Sequence, residues 1–186
     1  MNMPQLDKRY TYADYATWPE DVRYELIDGV AYMMSPAPGR VHQTILGELY
    51  RQIATFLKGK QCKVYPAPFD VRLNVDSGDD TVVQPDIVVV CDRSKLDDKG
   101  CNGAPDMVIE ILSKSSLGRD RVLKFNRYLK AGIREYWIVE PDSKIATVYI
   151  LENGRYYSTA YDETDTAPVH VLEGCYINLA DVFEVA

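Results

Sequence analysis

Two apolar runs each carry carboxylates where a buried strand would tolerate none. Gln84-Pro85-Asp86-Ile87-Val88-Val89-Val90 and Asp106-Met107-Val108-Ile109-Glu110-Ile111-Leu112 have the Val and Ile content of interior strands. An ionised carboxylate placed among such residues is costly unless a cation or a donor compensates it. Asp106 and Glu110 share one face of a strand but stand about 14 Å apart at the extended-chain rise, too far to share an ion. Asp86 and Glu110 fall on different strands, and neighbouring strands run about 4.8 Å apart. That pair can converge on Mg²⁺, which takes oxygen ligands at about 2.1 Å and keeps several waters. The competing reading of each acid is a strand-end carboxylate that caps a loop or pairs with an arginine.

A cation between two carboxylates lowers the pKa of a bound water and neutralises charge developing on a phosphoryl oxygen. A lysine commonly completes such a site. Lys124 is the best candidate, on the flank of the helix that follows Glu110 and off its Val122-Phe125-Leu129 stripe. From there it can reach back over the sheet edge to a transition-state oxyanion. Its other reading is a surface lysine paired with Asp120 one turn earlier. Lys114 has the parity of Glu110 and is the weaker rival. The run Arg119, Arg121, Lys124, Arg127, Lys130 and Arg134 either tracks a phosphate backbone or forms a solvated helix face.

The elements that must hold these residues follow from periodicity. Tyr10 to Val22 reads as a short helix, and Tyr24–Ile27 and Val30–Met34 as strands around an Asp28-Gly29 turn. Ser35-Pro36-Ala37-Pro38-Gly39 breaks the chain. Val41 to Lys58 repeats apolar residues at helical spacing and stops at Gly59. Cys62–Tyr65 and Phe69–Leu73 read as strands, with Val71 and Leu73 on one face and Arg72 on the other. Asp92 to Ala104 reads as an exposed stretch between the two acidic strands. Arg119 to Ala131 is a second helix, with Val122, Phe125 and Leu129 inward. Glu135–Val139 is a buried strand, and Asn153-Gly154 joins Ile145–Leu151 to Arg155–Ala160 as a hairpin. The last strands fall near Val169–Leu172. Strand, helix, strand between Met107 and Val139 implies a right-handed parallel crossover. The expected fold is α/β: a mixed central sheet flanked by helices, with an added antiparallel C-terminal hairpin, in a single domain over 1–186.

Composition narrows the function. The chain is 186 residues long with formal net charge −7, which opposes nucleic-acid binding through the overall field and demands a local site instead. Cys62, Cys91, Cys101 and Cys175 form no CxxC pair and read as free thiols in a reducing cytoplasm. With only His42 and His170, a structural zinc site has little support. The polar start of the chain lacks an apolar signal core, and no stretch approaches the ~20 apolar residues of a membrane span. No GxxxxGK[ST], GxGxxG or GxSxG motif supports a nucleotide cofactor or a serine hydrolase.

The Pro85-Asp86 strand followed by an acid-bearing strand resembles the PD-(D/E)xK nuclease superfamily. The likeness is closer to one bacterial branch, the Uma-two family of restriction-endonuclease-like proteins. Its pattern appears in Tyr24-Glu25-Leu26-Ile27-Asp28-Gly29, Ser35-Pro36 with His42, Gln84-Pro85-Asp86, Val108 to Ser113, and Gly132 to Pro141. The resemblance covers nearly the whole chain. It implies metal ligation by Asp86 and Glu110, with Glu25 as a third acid. His42 and Gln84 stand as accessory candidates; for Glu25 and His42 purely structural roles remain open. The sequence departs from the superfamily where the motif lysine should stand, at Leu112. The branch looks like one in which the lysine has moved to the following helix, as Lys124. The implied protein is a cytoplasmic Mg²⁺- or Mn²⁺-dependent endonuclease cutting DNA with a metal-activated water. Two-fold symmetry would suit cuts on opposite strands, so a homodimer is compatible. The alternative is a catalytically silent nuclease fold retained as a nucleic-acid or protein binding module, which the acidic charge and Leu112 favour.

Overall fold

The computed structural model describes residues 4, 8–19, 22–34, 37–113 and 119–184, with the backbone alone at 119–121. Ser35-Pro36, Lys114, the break at 114–118 and the side chains of Arg119, Asp120 and Arg121 lie outside that description. In chain order the helices are α1 (Tyr12–Tyr15), α2 (Arg40–Leu57), α3 (Arg119–Ala131) and α4 (Leu179–Phe183). The strands begin with β1 (Tyr24–Ile27), β2 (Val30–Met33), β3 (Lys63–Pro66), β4 (Asp70–Arg72), β5 (Val82–Val83), β6 (Ile87–Val90), β7 (Leu96–Asp97) and β8 (Gly100–Asn102). They continue with β9 (Met107–Ile111), β10 (Glu135–Glu140), β11 (Ile145–Glu152), β12 (Arg155–Tyr161), β13 (Thr166–Pro168) and β14 (Tyr176–Asn178).

The expected mixed sheet is present, in the order β12-β11-β10-β9-β6-β3, and a second six-stranded sheet runs β2-β1-β5-β4-β8-β7. Within the first, β10 pairs β9 in parallel across α3 while the remaining neighbours are antiparallel. Its inner strands β6, β9 and β10 lack polar alternation because both faces are covered there. Ile87, Val89, Ile109 and Trp137 pack with Ile45, Leu49 and Ile53 of α2. Val88, Val108 and Ile138 face the opposite side, with Tyr128 of α3 and Val71 and Val83 of the second sheet. Asp86 and Glu110 have the parity of this second set. At the β1–β2 turn Asp28 and Gly29 have φ of 51° and 75°, the left-handed pair that a tight hairpin requires.

Several expectations need correction. Val122 is 60% exposed, and the inward side of α3 carries Lys124, Phe125 and Tyr128 instead. Two buried carboxylates, rather than the aliphatic side chain, set the rotation of that helix. The stretch after Asp92 holds β7 and β8, with Gly100 and Cys101 buried. The last strands are β13 and β14, which pair antiparallel and flank the Val169–Leu172 segment. Val171 N–H in that segment donates to the buried carboxylate of Glu135 at 2.7 Å. Cys62 and Cys91 are not free thiols: they form a disulfide with Sγ–Sγ 2.07 Å. The antiparallel register Lys63↔Val90 places them one step beyond the paired residues of β3 and β6. Cys101 and Cys175 are free and buried. No helix among the described residues is long and apolar enough to cross a membrane.

Candidate active site

Register brings the two acids together. In the antiparallel pair β6–β9, Ile87 stands opposite Ile109, so the next rung places Asp86 opposite Glu110. Asp86 Oδ2 accepts from Ile111 N–H at 2.7 Å and lies 3.3 Å from His42 Nε2 in the first turn of α2. Glu25, on β1 of the second sheet, accepts Gln84 N–H at 2.9 Å through Oε1. The same oxygen lies 2.8 Å from Lys124 Nζ, which also donates to Glu110 Oε1 at 3.1 Å. Lys124 therefore bridges acids from both sheets, on α3, the next element in the chain after β9. Tyr128, one helical turn further along the same face, donates its hydroxyl to Glu110 Oε1 at 2.5 Å. The sequence reading missed Tyr128, although its i+4 spacing from Lys124 pointed to a shared partner.

These groups are recessed: the side chains of Glu25, Lys124, Glu110 and Asp86 are 10, 12, 14 and 16% exposed. Burial raises the Glu110 carboxyl to about 7; the Lys124 charge opposes this, and the Asp86 and Glu25 charges reinforce it. Burial disfavours the Lys124 ammonium, but the two adjacent glutamates outweigh that and hold its pKa above the ordinary value. Tyr128 is likewise pushed up, first by burial and then by Glu110, so it stays a neutral donor. For His42, burial works against the charged form, yet the hydrogen bond and charge of Asp86 carry the net shift upward. His42 Nδ1 is buried without a partner among the described residues.

Other candidates have different places. Gln84 lines the same cleft as these acids, with its side chain held by Asp70 and Arg23. Its Nε2 donates to Asp70 Oδ1 at 2.8 Å and its Oε1 accepts from Arg23. Its main-chain N–H supports Glu25. Asp106 accepts from Cys91 N–H at 2.6 Å and pairs with Arg134. Arg127 pairs with Asp28. The described part of the basic run thus disperses into separate contacts instead of forming a phosphate-tracking face.

Glu25, Asp86, Glu110, Lys124 and His42 all line one cleft of 430 Å³. Asp86 Oδ1, Glu110 Oε2 and Glu25 Oε2 have no protein partner among the described residues, which leaves one oxygen of each acid for a ligand. No group of three His, Cys, Asp or Glu side chains able to hold a metal occurs among the described residues. The donor set is therefore carboxylate oxygens in a cleft, not a closed cage. That fits Mg²⁺, which is typically held by one or two carboxylates and retains waters. It does not fit Zn²⁺, which favours a tetrahedral set of nitrogen and sulfur ligands.

The fold and this acid-lysine cluster define a nuclease-like protein. A family model described as "Uma2: Putative restriction endonuclease" matches residues 12–180, and the chain belongs to that family. A crystal structure described as a "putative nuclease belonging to DUF820", from Anabaena variabilis ATCC 29413, is similar with TM-score 0.75 and 24% identity, covering 94% of this chain and 98% of that one. At that identity the likeness concerns the fold. A search of curated proteins found no match.

Proposed function

We propose that the chain is a Mg²⁺- or Mn²⁺-dependent endonuclease that hydrolyses phosphodiester bonds in DNA, working as a single restriction-endonuclease-like domain. Asp86 and Glu110 are the residues that would hold the ion. When bound, the ion supplies Lewis acidity toward a phosphoryl oxygen and a lowered pKa for water. The observation that carries the reading is Lys124 Nζ held between Glu25 and Glu110, in the cleft that Asp86 also lines.

Each side chain has a separate task. Ile111 N–H and His42 fix one oxygen of Asp86, leaving the other toward the cleft. Tyr128 and Lys124 do the same for Glu110. Lys124 stays an ammonium and can donate to an oxygen that gains charge as the phosphate is attacked. It occupies the role left open at Leu112. Glu25 positions Lys124 and is itself held by Gln84 N–H. The test is nicking of supercoiled plasmid with Mg²⁺ by wild type, Asp86→Ala and Lys124→Ala. Activity is expected in wild type alone, and equal activity in all three samples defeats the enzymatic reading.

A further inference from the structure

Part of the cleft is unused by the chemistry above. Besides the acids and Lys124, its lining includes Tyr32, Met33, Met34 and Leu46. Met33 is 69% exposed, the most exposed large hydrophobic side chain among the described residues. It ends β2, an edge strand of the second sheet. An apolar wall with an aromatic ring, beside a recessed acid cluster, offers stacking and soft contact to a flat apolar group.

Few cationic side chains occur among the described lining residues: the Lys and Arg side chains are Arg23 and Lys124. Lys124 already serves two carboxylates, and Arg23 donates both Nε and Nη2 to Gln84 Oε1. Duplex DNA is held largely by Lys and Arg on several phosphates, and the chain's net charge is −7. The cleft volume of 430 Å³ lies in the range of small-molecule sites. For a base to reach such a recess it must leave the stack, which a duplex resists and a single strand does not.

We infer that the cleft takes an unstacked nucleotide of single-stranded DNA, its base against Tyr32, Met33 and Leu46 and its phosphodiester at Asp86, Glu110 and Lys124. The phosphate end rests on the nuclease reading; the base wall does not. Fluorescence anisotropy of a short labelled DNA oligonucleotide, as single strand and as duplex, tests it with Ca²⁺ present, for wild type, Met33→Ser and Leu46→Ser. Wild type should bind the single strand at least ~10-fold more tightly than the duplex, and each substitution should remove at least ~3-fold of that preference. The salt dependence should be shallow, corresponding to about one or two phosphates. Duplex binding as tight as single-strand binding overturns the inference. So does a preference untouched by both substitutions, or no binding of either form. Failure of the nuclease reading looks different: no Asp86-dependent cleavage with Mg²⁺, while single-strand preference and its dependence on Met33 persist.

Discussion

Replacing Lys124 by Met keeps much of the side-chain bulk and removes the charge that two recessed glutamates share. In wild type the ammonium lies 2.8 Å from Glu25 Oε1 and 3.1 Å from Glu110 Oε1. Removing one partner of a buried pair costs about 3–5 kcal/mol, because the other charge is left uncompensated. Glu110 can limit that cost by taking up a proton. Burial already raises its carboxyl from 4.5 to about 7 with Lys124 opposing the rise, and loss of the ammonium moves it higher. An acid whose folded pKa lies above its unfolded value favours folding most at low pH and loses that contribution as pH rises toward the folded pKa. In the variant the window of loss starts at the same unfolded value and extends further upward. The variant should therefore fall further behind wild type between pH 5 and pH 8, with each further tenfold gain in the proton affinity of Glu110 worth about 1.4 kcal/mol. Because the wild-type carboxyl already titrates near 7, the two proteins lose stability together below that pH and part only above it, so the deficit at pH 8 should exceed that at pH 5 by about 1.4 kcal/mol at most. At ~2–4 °C per kcal/mol for a chain of this size, the drop in Tm should be about 3–6 °C larger at pH 8 than at pH 5. Thermal denaturation at the two pH values reads this directly. Adding Glu110→Gln to Lys124→Met should recover most of the pH-dependent part. A Tm deficit equal at both pH values, or larger at pH 5, refutes the reasoning.

Two further substitutions separate the supports of the acids. Tyr128→Phe removes a 2.5 Å hydrogen bond to Glu110, so the Glu110 carboxyl should rise further and Mg²⁺ affinity at pH 7 should fall more than at pH 8.5, as read by calorimetric titration. His42→Ala removes a contact that orients Asp86, and plasmid nicking should slow by about 10–100-fold while the wild-type fold is retained by circular dichroism.

The legible and illegible parts of this protein differ in range. Asp86 and Glu110 stood out because carboxylates in Val- and Ile-rich runs violate the cost of burial. The β9–α3–β10 crossover stood out because strand and helix periods alternate over a short span. The side of α3 that turns inward was not legible from apolar spacing, since Lys124 and Tyr128 face in to meet acids supplied by two separate sheets. The bond between Cys62 and Cys91 depends on the pairing of β3 with β6, which no local spacing encodes. The Gln84 side chain looked like a site residue because it precedes Pro85-Asp86, yet it is tied to Asp70 and Arg23, residues distant in sequence. In each case the missed feature is a contact between segments distant in sequence.

Isothermal titration of Mg²⁺ into wild type and Asp86→Ala at pH 8 is the most direct test, because the account depends on residues 86 and 110 supplying oxygens to one ion. Saturable binding at a single site in wild type, lost in Asp86→Ala and in Glu110→Ala, is the predicted result. Binding that survives both substitutions, or that wild type lacks, contradicts it.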